Sequence, residues 1–460
     1  MAIRDPELSV EAPRPPSAAA AIRRRLARGS ATVFIGMTAG TLLTLLVNAV
    51  LARLLGHDRL GAYFLVFSLV TFGTTIGQLG LDRTVVRLIS ASLGTGQPGR
   101  ARRAILIAFG LGTVGAVAVA AILVAGLGDF LADRVYHSRA VPGVITLAAL
   151  WIIVNALLSL AGETFRGFQR FWPATFFSGL AVDILLAIGF GGLWLAGARP
   201  SLEQAVGVSI AASAIALVVA AGMLVRPVAQ LHGPGTVRVR KVTSISLPLL
   251  GTSVASFMLG TGVDLWVVGH FRPASDVALY GAASRLVFFV ATPLIIVSQV
   301  VPPIIAELYA RGERRQLEVA LRNVSTVTGI PAAAVLVAFL IAGGPIMHLV
   351  YGPGFAAGAT VLAILSVSRL VAVCTGSSGT TLMMTGHGRT MFAITLGSGL
   401  AALSGEILLA PGYGITGVAA ATSCAQIAQN LLQLVFARIH VGIWTHARMS
   451  LEPVLELIRG

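Results

Sequence analysis

Runs of about twenty apolar residues recur along nearly the whole chain, and this recurrence limits the fold more than any motif does. A helix rises about 1.5 Å per residue, so such a run spans the roughly 30 Å hydrocarbon core of a bilayer. In hydrocarbon every backbone N–H and C=O needs a partner within the protein, which leaves spanning helices or a closed barrel. A barrel would read as short alternating strands, and the sequence lacks that pattern. A mean hydropathy of +0.88, with 56% hydrophobic and 11% charged residues, excludes a soluble domain. The expected fold is all-α and polytopic.

Twelve transmembrane helices are expected, near 31–55, 60–81, 104–127, 141–162, 173–196, 204–225, 245–271, 279–302, 324–349, 357–380, 391–410 and 415–437. The connections alternate in charge. Arg83, Arg87, Arg100, Arg102 and Arg103 follow span two, Arg226, Arg238, Arg240 and Lys241 follow span six, and Arg311, Arg314, Arg315 and Arg322 follow span eight. The other connections hold little more than Arg59, Arg134, Arg139, Arg199 and Arg272. The positive-inside rule then puts both termini in the cytoplasm. The net charge of +15 reads as anchoring against anionic lipid rather than as nucleic-acid binding. Residues 1–30 are a basic cytoplasmic segment with no signal-peptide cleavage pattern. Residues 438–460 are an amphipathic tail, lying on the inner membrane surface or packed on the protein. Cys374 and Cys424 sit in apolar helices and read as packing residues.

The chain also repeats itself at an offset of about half its length. Gly207-Val208 followed by Ser213 recurs as Gly417-Val418 followed by Ser423, Gly56-His57 as Gly269-His270, and Gly61 to Tyr63 is echoed by Ala278 to Tyr280. Two six-helix lobes follow, 31–225 and 245–437, joined by a cytoplasmic linker at 226–244.

One stretch, Ser244 to Arg311, holds a charge in each of two consecutive spans, Asp264 and Arg285. A charge at the bilayer centre costs about 3 kcal/mol on insertion scales and usually faces a partner or a wet cavity. Counted along each helix, Asp264 lies about 10 Å and Arg285 about 9 Å from the turn between them, at matching depth. A static salt bridge locking the two helices is the alternative to a functional pair.

A series of short motifs carries a family resemblance. RLLGHDRLGAY runs from Arg53 to Tyr63, SLPLL surrounds Pro248, and VDLWVVGHF is followed by LYGAASRL. PPIIAELYARGE, LMMTGHGR (Leu382 to Arg389) and PGYGITGVAAATS (Pro411 to Ser423) follow in that order. In order and spacing, over about 31–437, they resemble the Wzx-type oligosaccharide flippases of the multidrug/oligosaccharidyl-lipid/polysaccharide (MOP) exporter superfamily. The resemblance implies two six-helix bundles in a V around a central cavity. It also implies transport of polyprenyl-diphosphate-linked oligosaccharide from the cytoplasmic to the outer leaflet by alternating access. A bacterial cytoplasmic (inner) membrane, and a glycan polymerase and glycosyltransferases of the same pathway as partners, follow from the same resemblance.

Such a transporter must shelter a diphosphate and a polar glycan, and arginine suits the diphosphate because its planar fork binds phosphate oxygens in pairs. Arg285 is the leading cavity cation and Arg369 the second. Arg83, Arg87 and Arg53 at span ends are further candidates, with topology anchoring the blander reading for Arg83 and Arg87. Ion coupling falls to the carboxylates within spans: Asp264, Asp183, which has no evident partner, and Glu406, close enough to the outer end to reach interfacial water. No Walker motif, zinc helix or nucleophile elbow is present, so neither an enzyme nor a cofactor or metal site is expected. A cation-coupled multidrug exporter of the same superfamily stays open as the alternative, with a membrane glycan polymerase or ligase behind it. The polymerase class would carry a long outer loop, and the longest here, Gly128 to Ala140, is an ordinary connector.

Overall fold

Sixteen helices make up the computed structural model, which describes residues 18–131, 142–298 and 301–448, with side chains from about Gly36 onward. The first half runs α1 (Ala18–Gly77), α2 (Leu81–Gly94) and α3 (Pro98–Ile122), which continues through a π-turn at 123–127 into α4 (Gly128–Phe130). Next come α5 (Ile145–Gly167), α6 (Phe171–Thr175), a second π-turn at 176–180, α7 (Ala181–Leu195) and α8 (Leu202–Ala229). The second half runs α9 (Val239–Met258), α10 (Thr261–Phe271), α11 (Ala274–Val297), α12 (Val301–Ala310), α13 (Arg314–Tyr351), α14 (Ala359–Thr375), α15 (Ser378–Met384) and α16 (Gly388–Val441). The outer loop expected at Gly128 to Ala140 lies mostly outside the described residues, as do the first seventeen residues and the tail beyond Arg448.

Among the described residues nine helices are long and apolar enough to cross a membrane. Two of these are hairpins. α1 leaves helical geometry at Gly56 (φ 69°) and α16 at Gly414 (φ 57°), left-handed conformations that glycine adopts without a Cβ penalty. In α16 the reversal is fixed by Thr422 donating to Glu406 Oε1 at 2.8 Å, residues that a straight helix would hold about 24 Å apart. In α1, Thr44 and Phe67 flank Gly56 and line one cavity. With each hairpin arm counted separately and α9–α10 taken as one bent crossing, the twelve expected spans are present.

The helix expected as continuous from 245 to 271 is broken. α9 and α10 meet at 49°, with Gly260 extended between them. The break strands backbone groups that hydrocarbon cannot satisfy, and Gln426 Nε2 reaches across from α16 to donate to the Leu259 carbonyl at 2.9 Å.

In the first half α5 packs on α1, α3 and α8; in the second, α14 packs on α11, α13 and α16. The repeat is visible in the bonding. Tyr63 hydrogen-bonds Ser209 in the last span of its half at 2.9 Å, and Tyr280 lies in hydrogen-bonding range of Thr422 in the last span of the other. Ser213 accepts from Trp151 Nε1 on α5 at 3.2 Å, and Ser423 donates to the Ile364 carbonyl on α14 at 3.1 Å.

The halves meet along the second arm of α1 and α11. At the Gly56 end this seam is tight: a Cβ on Gly61 would overlap the Ala274 carbonyl oxygen, and one on Gly281 would overlap the Phe64 ring. His57 stacks on Phe355 with centroids 4.3 Å apart, and Arg53 Nη2 donates to the Leu349 carbonyl at 2.8 Å.

Of the expected amphipathic tail, residues 438–441 complete α16 and residues 442–448 are not helical. Residues 442–448 cross the ends of α13 and α14, where Thr445 donates to the Thr375 carbonyl at 2.7 Å and accepts on its own carbonyl from Ser325 at 2.8 Å. Ile443 and Thr445 of this segment are buried against the protein.

Candidate functional site

Polar residues at helical spacing, hidden within the apolar runs, build a cavity of about 930 Å³ between the halves. The first arm of α1 supplies Thr41, Thr44 and Asn48, and the second supplies Ser68, Thr71 and Thr75, with Gln78 just past its end. Steps of three and four residues put each set on one face of its helix. Ser253 and Ser256 of α9 and Ser284 of α11 face them from the other half. Several of these groups are satisfied within their own helix: Thr71 donates to the Phe67 carbonyl at 2.8 Å, Thr75 to the Thr71 carbonyl at 2.9 Å and Asn48 to the Thr44 carbonyl at 2.7 Å. A wall of this kind survives in a membrane when empty and can still offer oxygens to a polar ligand.

Of the sequence candidates, Arg285, Arg83 and Asp183 line this cavity. Asp183 Oδ2 accepts from Thr44 Oγ1 at 2.6 Å, a partner the sequence did not reveal. Arg166 and Asp82 line it as well; Arg166 pairs with Glu163 at 3.2 Å. Arg87 lies one turn beyond Arg83 on α2, exposed and outside the lining. Arg53 is also outside, held at the seam by Leu349.

Asp264 and Arg285 are not partners. α11 begins at Ala274 rather than near 279, so Arg285 lies about 16 Å from the turn against about 10 Å for Asp264, and the expected depth match fails; Tyr280 stands at the level of Asp264 instead. The Arg285 guanidinium carbon lies 3.9 Å above the Phe64 ring centroid and 5.6 Å from that of Phe67, and Nη1 donates to the Gly281 carbonyl at 3.2 Å. Among the described residues no carboxylate forms a salt bridge with it. It is a cation with an aromatic face behind it and a polar cavity before it.

Asp264 turns instead toward α16 and is fully buried, as is Glu406. Tyr280 donates to Asp264 Oδ2 at 2.5 Å and Thr422 to Glu406 Oε1 at 2.8 Å. The two carboxyl groups are within hydrogen-bonding reach of each other, and Arg369 is close enough to act on Asp264 electrostatically. Among the described residues, Asp264 Oδ1 and Glu406 Oε2 have no donor of their own. Two carboxyl groups at this range bond only if one carries a proton or a cation lies between them. Two expectations change here. Glu406 does not reach interfacial water, because the α16 hairpin folds it against its own second arm. Arg369 is outside the cavity and belongs with the acids.

A helical membrane protein with a polar, cation-bearing cavity between two similar halves is the class that fold and site define. The chain belongs to the polysaccharide biosynthesis protein family, whose model matches residues 26–309. It is 23% identical over 425 residues to a probable low-salt glycan biosynthesis flippase, Agl15, of Haloferax volcanii, covering 91% of this chain and 84% of that protein. In structure it resembles the lipid II flippase MurJ in an inward closed conformation, with TM-score 0.71 and 16% identity over 93% of this chain and 91% of that one. It also resembles a multidrug resistance MATE family transporter of the MOP superfamily in its inward-facing conformation, with TM-score 0.69 and 15% identity over 88% and 94% of the two chains. The MOP-type fold implied by the sequence motifs is thus the fold observed.

Proposed function

We infer that this protein flips a polyprenyl-diphosphate-linked oligosaccharide from the cytoplasmic to the outer leaflet of the cytoplasmic membrane, in support of surface polysaccharide biosynthesis. The observation that carries this reading is Arg285, a cation without a carboxylate partner among the described residues, which faces a hydroxyl-rich cavity. A guanidinium in that setting gains a strong, paired hydrogen bond from a phosphate. The hydroxyls and the Asn48 amide of α1 suit a glycan, whose own hydroxyls both donate and accept. Family membership and the glycan flippase relative support the same substrate class.

The basic connections orient the Gly56 end outward, so the seam at Gly61 and Gly281 closes the outer side and the cavity loads from the Arg83 end. Residues 31–225 and 245–437 move as the two lobes. Arg83 receives the anionic group at the mouth and Arg285 holds it deeper. Arg369 serves the acid cluster, where Asp264 and Glu406 take up the coupling ion; Asp183 is the candidate within the cavity. The multidrug reading fits the cavity less well, because three lining arginines, Arg83, Arg166 and Arg285, face two lining aspartates, Asp82 and Asp183, among the described residues. That balance disfavours a cationic drug.

Deletion of the gene in its host, with labelling of surface glycan and lipid-linked intermediates, tests the function. Loss of surface glycan with accumulation of cytoplasm-facing intermediates, restored by the wild-type gene, is expected. Unchanged glycan and intermediates would sink the reading.

A further inference from the structure

Phe64 and Arg285 belong to opposite halves of the molecule, Phe64 to the second arm of α1 and Arg285 to α11, yet they form one contact. The contact is built rather than incidental. Gly281 lies one turn before Arg285 on α11, and its missing side chain is the space that the Phe64 ring fills. The same Gly281 offers its carbonyl to Arg285 Nη1, which lays the guanidinium across the ring. Phe64 is fully buried, so it cannot be a binding surface in this conformation. It is nevertheless directly behind the cation that faces the cavity, and it is part of the seam that closes the Gly56 end.

Resting on the anion-site reading above, we propose that Phe64 is the positioning residue for Arg285 and that this cation–π contact is the latch through which cavity occupancy reaches the closed seam. With the cavity empty, the guanidinium meets no carboxylate among the described residues and its best partner is the ring. A diphosphate offers charged oxygens in the geometry of the guanidinium fork, an interaction stronger than an aromatic face. Arg285 therefore shifts toward the ligand and the ring loses its cation. Separating the halves at the Gly56 end also pulls Phe64 from Arg285, so opening breaks this contact in the empty protein and has nothing to break in the loaded one. By linkage, whatever weakens the contact must also favour anion binding and opening by the same factor.

The test uses full-length protein in nanodiscs, with spin labels on either side of the seam, and farnesyl diphosphate as the probe. Phe64 is replaced by mono-, di- and trifluorophenylalanine, which keep the ring's shape and drain its negative face in steps. The expected result is a graded rise in the open population without probe, on the order of tenfold across the series. Farnesyl diphosphate should open the wild type, and its added effect should shrink along the series while its affinity rises. Phe64→Leu should behave like the trifluoro form, and Arg285→Gln should lose the probe response. A purely structural Phe64 would give no gradation with fluorination, and that flat response overturns the proposal. Wild-type protein that binds the probe with no change in distance overturns the latch and leaves the anion site standing. Wild-type protein that does not bind the probe overturns both.

Discussion

Replacing Gly61 by alanine tests whether the seam at the Gly56 end is a closed gate. The new Cβ would overlap the carbonyl oxygen of Ala274, the first residue of α11. The obstacle is backbone, directly after Pro273, and cannot rotate away as a side chain would. Inserting a methyl group into such packing costs about 1–3 kcal/mol. The cost falls only on the conformation in which the halves touch here, so the equilibrium moves toward opening by about 5- to 150-fold. The readout is the labelling rate of a single cysteine at Ser284, a cavity residue only 3% exposed, in a background with Cys374 and Cys424 replaced by serine. An impermeant thiol reagent is added from the outer side of sealed vesicles. Labelling should accelerate within that range in Gly61→Ala and stay at the parent rate in Gly191→Ala, where a Cβ meets nothing within 4 Å. A folded Gly61→Ala protein labelled at the parent rate would refute the steric argument and with it the gate.

Three further perturbations address the acid cluster, the broken helix and the terminal strap. Asp264→Asn should remove the stimulation of transport by an imposed ion gradient while leaving exchange without a gradient, measured in vesicles; full retention of gradient stimulation would exclude this pair from coupling. Gln426→Leu should leave the Leu259 carbonyl unpaired at the α9–α10 break and destabilise the protein by about 1–3 kcal/mol, read as a lower thermal midpoint in detergent. Thr445→Val should cost about 0.5–1.5 kcal/mol on the same assay by removing the bond to the Thr375 carbonyl, and an unchanged midpoint would show that the strap adds nothing to the second half.

Much of the architecture was legible because hydrocarbon enforces it. Apolar runs gave the spans, and the arginine-rich connections that alternate with them gave the order of turns. The break at Gly260 was not legible, since its compensation comes from Gln426, far away in sequence. The site was half legible. Arg285 stood out as a charge inside a span, but matching depth suggested Asp264 as its partner, whereas Phe64 on the other half is where the side chain rests. Glu406 looked peripheral until the turn at Gly414 folded it against Thr422 and Asp264. The hydroxyl residues at 41 and 44 and at 68, 71 and 75 were written in the sequence at helical spacing. They escaped notice because serine and threonine barely lower the mean hydropathy of a span.

The central claim is that the Arg285 cavity carries a diphosphate-linked glycan across the membrane. The direct measurement is leaflet transfer of a fluorescent polyprenyl-diphosphate-linked oligosaccharide in proteoliposomes, followed by quenching from outside. Time-dependent transfer is expected with the wild type, reduced transfer with Arg285→Lys, which keeps the charge but loses the fork, and loss of at least tenfold with Arg285→Ala. Wild-type vesicles that transfer no more than empty ones, or an Arg285→Ala protein that transfers at the wild-type rate, would contradict the account.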